Sequence, residues 1–115
     1  MASTGKFAGQ VSIITGGASG IGLACAEHLA REGSSVALFD VNEGSLEKAT
    51  RTVQAAGAPR VIAVRVDVRD PKSVSNGISE VVAKLGRVDV LVQAAGITGK
   101  TNVKTENVEV ANFQL

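Results

Sequence analysis

Short apolar runs alternate with longer segments of helical period along the whole chain, and that alternation constrains the fold more than any other feature. Residues 11–15 form an apolar run that ends at Gly16, and 21–32 reads as a helix stopped by Gly33. In that helix Ile21, Ala24, Cys25 and Leu29 share a face at helical spacing. A second strand is read at 35–40, where Val36, Ala37, Leu38 and Phe39 stand unbroken, as in a strand buried on both faces. The next helix spans 43–56, with Leu46, Ala49 and Val53 as its apolar stripe and Gly57 and Pro59 ending it. A third strand covers 61–66. Asp70-Pro71 then opens a helix with a carboxylate cap and a proline at the first position. Val74, Ile78, Val81, Val82 and Leu85 repeat along it, and Gly86 closes it. A fourth strand is read at 88–92, a polar stretch at 98–107, and a helix onset at 108–115.

Strands joined by helices run parallel through right-handed crossovers. The pattern predicts an α/β fold, a Rossmann-like doubly wound parallel sheet of strand order 3-2-1-4, with the first two helices on one face and the third on the other. Residues 1–115 are expected to be the amino-terminal part of a single domain of this kind. As a truncated sheet it would leave strand four as an apolar edge and the chain marginally stable or in need of a partner surface. Composition fits buried parallel strands: 44% of residues are hydrophobic, there is no Trp or Tyr, and Phe occurs three times. A net charge of +1 with scattered basic residues argues against nucleic acid or an acidic membrane surface as partner. One cysteine, Cys25, forms no internal disulfide, and with one histidine, His28, supplies too few ligands for a metal cluster. His28 is read as a surface or helix-packing residue and Cys25 as a small hydrophobe. No apolar run reaches the ~20 residues of a membrane span, and the polar amino terminus has no apolar signal core. The expected location is cytoplasmic.

The chemistry lies in Thr15-Gly16-Gly17-Ala18-Ser19-Gly20-Ile21-Gly22, where the first strand gives way to the first helix. Free backbone N–H groups and the positive end of the helix dipole attract anionic oxygens there. Glycines let a pyrophosphate approach the backbone and supply positive φ where the turn needs it. Gly20 and Gly22 are best placed for close approach and helix–strand packing, and Ser19 offers a hydroxyl donor. A tight turn without ligand would account for the glycines alone. However, Asp40 ends the second strand 18 residues after Gly22, close to the spacing of ~20 at which an acid meets an adenosine ribose. Its carboxylate would accept from both ribose hydroxyls and repel a 2′-phosphate. No Lys or Arg stands in the glycine turn or immediately after Asp40, so NAD is favoured over NADP.

These motifs together resemble the amino-terminal half of a classical short-chain dehydrogenase/reductase, from about Phe7 onward. Thr15 to Gly22 matches the family's TGxxxGxG loop, and Asp40, followed by Val41, occupies the place of its ribose-binding acid. Asp67-Val68 matches the pair that contacts adenine, although Asp67 could also simply cap the loop that follows. Gln93-Ala94-Ala95-Gly96 corresponds to the family's N-A-A-G segment, with Gln in place of Asn. The resemblance implies cofactor contacts from Gly16, Ser19, Gly20, Ile21, Gly22, Asp40, Val41, Asp67, Val68, Ala94, Ala95 and Gly96. It also implies hydride transfer between a nicotinamide and an alcohol or carbonyl carbon of a small molecule. The family's Ser, Tyr and Lys catalytic arrangement has no counterpart here, because the chain contains no tyrosine. No catalytic residue is carried over, and the 115 residues alone are expected to be inactive. Homo-oligomer formation would belong to the full-length protein. Two other readings stand beside this one: an inactive NAD-binding module serving as sensor or partner subunit, and a Rossmann-type methyltransferase, which the TGxxxGxG spacing argues against.

Overall fold

A computed structural model of the chain describes residues 5–94 and the backbone of 109–112. The elements run β1 (Val11–Thr15), α1 (Gly20–Arg31), β2 (Ser35–Asp40), α2 (Glu43–Ala56), β3 (Val61–Arg65), α3 (Pro71–Leu85), β4 (Val90–Gln93) and β5 (Glu109–Asn112). They build one sheet of order β3-β2-β1-β4-β5. The first four strands are parallel, in the predicted order, and β5 is antiparallel to β4.

Alternation along each strand divides the core into two layers. Ile14, Val36, Leu38, Val90 and Val92 pack against Ala26, Leu29 and Ala30 of α1 and Leu46, Ala49 and Val53 of α2. Val11, Ile13, Ala37 and Phe39 face the other way, onto Val81 and Leu85 of α3. The expected division of the helices between faces is therefore present, and the stripe on α2 is the one read from sequence. Helix starts follow their capping residues. The Asn42 side chain accepts from the Ser45 N–H at 2.9 Å, and Asp70 accepts from the Lys72 N–H at 3.0 Å ahead of Pro71. Gly57 and Gly86 close α2 and α3 in the left-handed conformation.

Three expectations are corrected. First, the buried face of α1 is Gly22, Ala26, Leu29 and Ala30, whereas Ile21 and Ala24 are exposed and Cys25 is half-buried. Small residues mark this face because the helix lies close to the sheet, so hydrophobicity alone found Leu29 and the core-packed Cys25 but misplaced Ile21 and Ala24. Val82 of α3 likewise lies outside the buried stripe, at 37% exposure. Second, β4 starts at Val90. At its beginning the Asp89 carboxylate accepts the Val11 N–H at 2.8 Å, which replaces a ladder bond. Third, 109–112 is a strand, where a helix onset at 108–115 was expected. The free edge of β4 offers a row of backbone donors and acceptors, and β5 takes them, with Gln93 opposite Glu109 and Val90 opposite Asn112. Strand four is thus not an open edge.

Candidate functional site

Doubly wound sheets bind ligands beyond the carboxyl ends of their strands, where the strand order reverses. Here β1 has β2 on one side and β4 on the other, and a cleft of about 990 Å³ opens over those ends. That volume lies at the upper end of small-ligand sites. Every expected contact residue within the described part lines it: Gly16 and Ser19 from the turn, Gly20, Ile21 and Gly22 from the start of α1, Asp40 at the end of β2 with Val41 after it, Asp67 and Val68 after β3, and Ala94 after β4. Ala95 and Gly96 lie outside the described residues. Phe39, Val66 and Arg69 also line the cleft and were not picked out from sequence.

The glycine turn is held from below and from the side. Gly16 and Gly17 donate to the Phe39 carbonyl at 2.8 and 3.2 Å. The Ala18 N–H donates to Asp40 Oδ2 at 3.2 Å, and the Asn42 N–H to Oδ1 at 3.2 Å. Asp40 therefore ties the turn to the end of β2, and each of its oxygens keeps capacity for a further donor.

Two glycines have distinct reasons. Gly20 sits at φ +57° with nothing near the space a Cβ would occupy, so it serves the backbone conformation. At Gly22 a Cβ would lie 2.0 Å from the Gly16 carbonyl oxygen, so it serves close packing of α1 on the turn. Ser19 is the N-cap of α1 in an extended conformation, and its hydroxyl makes no capping bond. Unlike α2 and α3, α1 begins without a side chain on its first-turn N–H groups.

On the far side, Asp67 is bound by Arg69. The guanidinium donates to both carboxylate oxygens at 3.1 Å, and the Arg69 N–H adds a bond of 3.0 Å. These bonds, the side-chain ones foremost, hold the Asp67 carboxyl below the usual carboxylate range and raise Arg69 above its own. The loop-capping role foreseen for Asp67 is present, supplied through Arg69. Position alone gave no sign of this, because Arg69 reaches the cleft only by folding back over two residues. His28 is exposed on α1, as read from sequence. No helix among the described residues is long and apolar enough to cross a membrane.

Fold and cleft together define a protein of the doubly wound α/β class with an open crevice at the point where its strand order reverses. The chain belongs to the short chain dehydrogenase family, whose profile matches residues 10–114. It is similar to 2-dehydro-3-deoxy-L-rhamnonate dehydrogenase (NAD(+)) of Sphingomonas sp. strain SKA58, at 39% identity over 97 residues, covering 84% of this chain and 37% of that one. A short chain dehydrogenase/reductase from Burkholderia phymatum, solved in complex with NAD, superimposes with a TM-score of 0.70 at 41% identity. The match covers 75% of this chain and 30% of that one. L-Sorbose reductase from Gluconobacter frateurii, complexed with NADPH and L-sorbose, gives a TM-score of 0.76 at 36% identity over 92% of this chain and 41% of that one. The chain spans well under half the length of these relatives.

Proposed function

We propose that this chain is the cofactor-binding part of an NAD(H)-dependent short-chain oxidoreductase acting on a small alcohol or ketone. The observation that carries the reading is the convergence of the glycine turn, Asp40, Asp67 and Ala94 from four separate strand ends onto one cleft. The order β3-β2-β1-β4 supports one direction for the ligand. In this reading adenosine lies over β2 and β3, the pyrophosphate over the turn after β1, and the nicotinamide half toward β4.

In this reading the first-turn N–H groups of α1 and the Ser19 hydroxyl bind the pyrophosphate, with Gly16, Gly20 and Gly22 allowing its approach. Asp40 accepts from the adenosine ribose hydroxyls. Val41, Val68 and Ile21 supply apolar surface, and Asp67 accepts from the adenine amino group. Ala94, with Ala95 and Gly96 after it, borders the nicotinamide side. The nicotinamide supplies or accepts the hydride; no residue of this chain is assigned a proton transfer. NAD is preferred over NADP because Asp40 rejects a 2′-phosphate. Cytoplasmic residence goes with this reading, since the single cysteine gives no disulfide framework.

The test is titration of the intact protein with NADH and NADPH, followed by nucleotide fluorescence or calorimetry. NADH binds more tightly. Hydrogen bonds to a charged acceptor contribute about 1.5–3 kcal/mol, so Asp40→Ala weakens NADH by about 10- to 100-fold and NADPH by less. Tighter binding of NADPH than NADH to the unmodified protein would refute the role given to Asp40.

A further inference from the structure

We propose that Arg65 and Glu43 form a charge gate beside the ribose position, which sets how strongly the protein rejects a 2′-phosphorylated dinucleotide. The proposal rests on the reading that the cleft holds a nicotinamide dinucleotide, and it adds residues that line a separate groove between α2 and β3.

Asp40 and Arg65 are register partners on the parallel strands β2 and β3. Such neighbours project from the same face of a sheet, about 5 Å apart. They nevertheless take different partners. Asp40 is held by the N–H groups of Ala18 and Asn42. Arg65 reaches past it: its Nε donates to the Val41 carbonyl at 3.3 Å and lies 3.8 Å from Glu43 Oε2. A guanidinium thus stands against the peptide that follows the ribose acid, with its side chain 66% exposed. Its charge also contributes to the lowering of Asp67, so it acts across this end of the cleft.

A phosphate on the 2′-oxygen of a ribose held by Asp40 emerges toward this peptide. Arginine suits such a group, because its planar fork binds phosphate oxygens in pairs. Glu43, the first residue of α2, opposes that use. It neutralises Arg65, whose guanidinium is then not free for a dianionic phosphate. A 2′-hydroxyl is uncharged and feels little of this. Asp40 is then one of two acids that keep the site on the unphosphorylated cofactor, and Glu43 acts through Arg65.

The experiment measures NADH and NADPH dissociation constants for the intact protein, Glu43→Gln, Arg65→Gln and the double variant. All three changes are on exposed side chains. From the usual size of exposed charge interactions, Glu43→Gln narrows the preference for NADH by about fivefold. The same change made in the Arg65→Gln background narrows it by less than about twofold. Raising salt toward about 0.5 M shrinks the fivefold effect, as screening requires. Equal narrowing in both backgrounds means that only net charge matters, and it overturns the gate. No narrowing, with NADH still bound by the unmodified protein, overturns the gate and leaves the cofactor reading standing. Failure of the unmodified protein to bind NADH overturns both.

Discussion

Replacing Gly22 by alanine is expected to loosen the whole entry to the site. The added Cβ would stand 2.0 Å from the Gly16 carbonyl oxygen and 2.7 Å from its carbon. Both are backbone atoms of a turn that donates twice to Phe39, so neither can swing aside. Contacts of this kind need about 3 Å, so the start of α1 must retreat by roughly 1 Å. The helix is held by Ala26, Leu29 and Ala30 against Ile14 and Val36, which resists the movement. Overpacking at such a place costs about 1–3 kcal/mol, and the methyl group returns at most about 1 kcal/mol of helix propensity. With the full propensity gain the net loss is about 0–2 kcal/mol, which in a domain near this size lowers the melting temperature by up to about 8 °C. The same retreat stretches any N–H bond from the first turn to a phosphate beyond bonding distance, with a loss in NADH affinity of about tenfold. Thermal melts and NADH titration check both numbers. Gly44→Ala is the control: in the first turn of α2 its Cβ would meet only Asn42 Oδ1, at 3.5 Å, so stability is expected to hold or rise slightly. A Gly22→Ala protein that melts with the parent and binds NADH as well would refute the packing argument.

The Asp70 cap and the Asp67–Arg69 pair give two further expectations. Asp70→Ala removes the acceptor for the Lys72 N–H, costs about 1 kcal/mol, and lowers the melting temperature by about 4 °C, measurable by circular dichroism. Asp67 is lowered in the folded chain by Arg69, so its contribution to stability is present above its unfolded pKa and is lost as pH falls through the lower folded value. The window therefore lies below about pH 4. Arg69→Ala shifts the Asp67 carboxyl titration upward in carbon NMR, while the stability profile from about pH 6 to 8 keeps its shape. An Asp67 titration that does not move shows that the guanidinium contact is not kept in solution.

What the sequence disclosed, and what it withheld, follows from the range of the forces involved. Asp70-Pro71, the stripe Leu46, Ala49 and Val53, and the run Val36 to Phe39 are local signals, and each stands where it was read. The cleft was legible because a glycine turn and an acid at the next strand end are tied by chain geometry alone. The face of α1 was misread because Gly22, Ala26 and Ala30 earn burial by smallness, which a hydrophobic stripe does not register. Gly77 in α3 is a related case, since a Cβ there would meet Val66 at 2.7 Å and the Phe39 ring at 3.1 Å. The segment 109–112 was misread because its partner is the edge of β4, some twenty residues away, and no local period reports an unpaired edge. Arg65 carries no local signal because its partner, the Val41 carbonyl, is brought near only by the pairing of β2 with β3, and Arg69 carries none because its bond to Asp67 two residues before it follows no helix or strand period.

The bond from the Ala18 N–H to Asp40 joins two tasks that are usually considered apart. The carboxylate that would recognise one sugar also braces the loop that would grip the phosphates. A redesign that swaps Asp40 for a small or basic residue to change cofactor preference therefore removes a strut as well as a selector. Affinity for either cofactor falls unless the newcomer still offers Ala18 an acceptor. Asparagine keeps an oxygen at that place while discarding the charge, and it makes the gentler starting point for such a change.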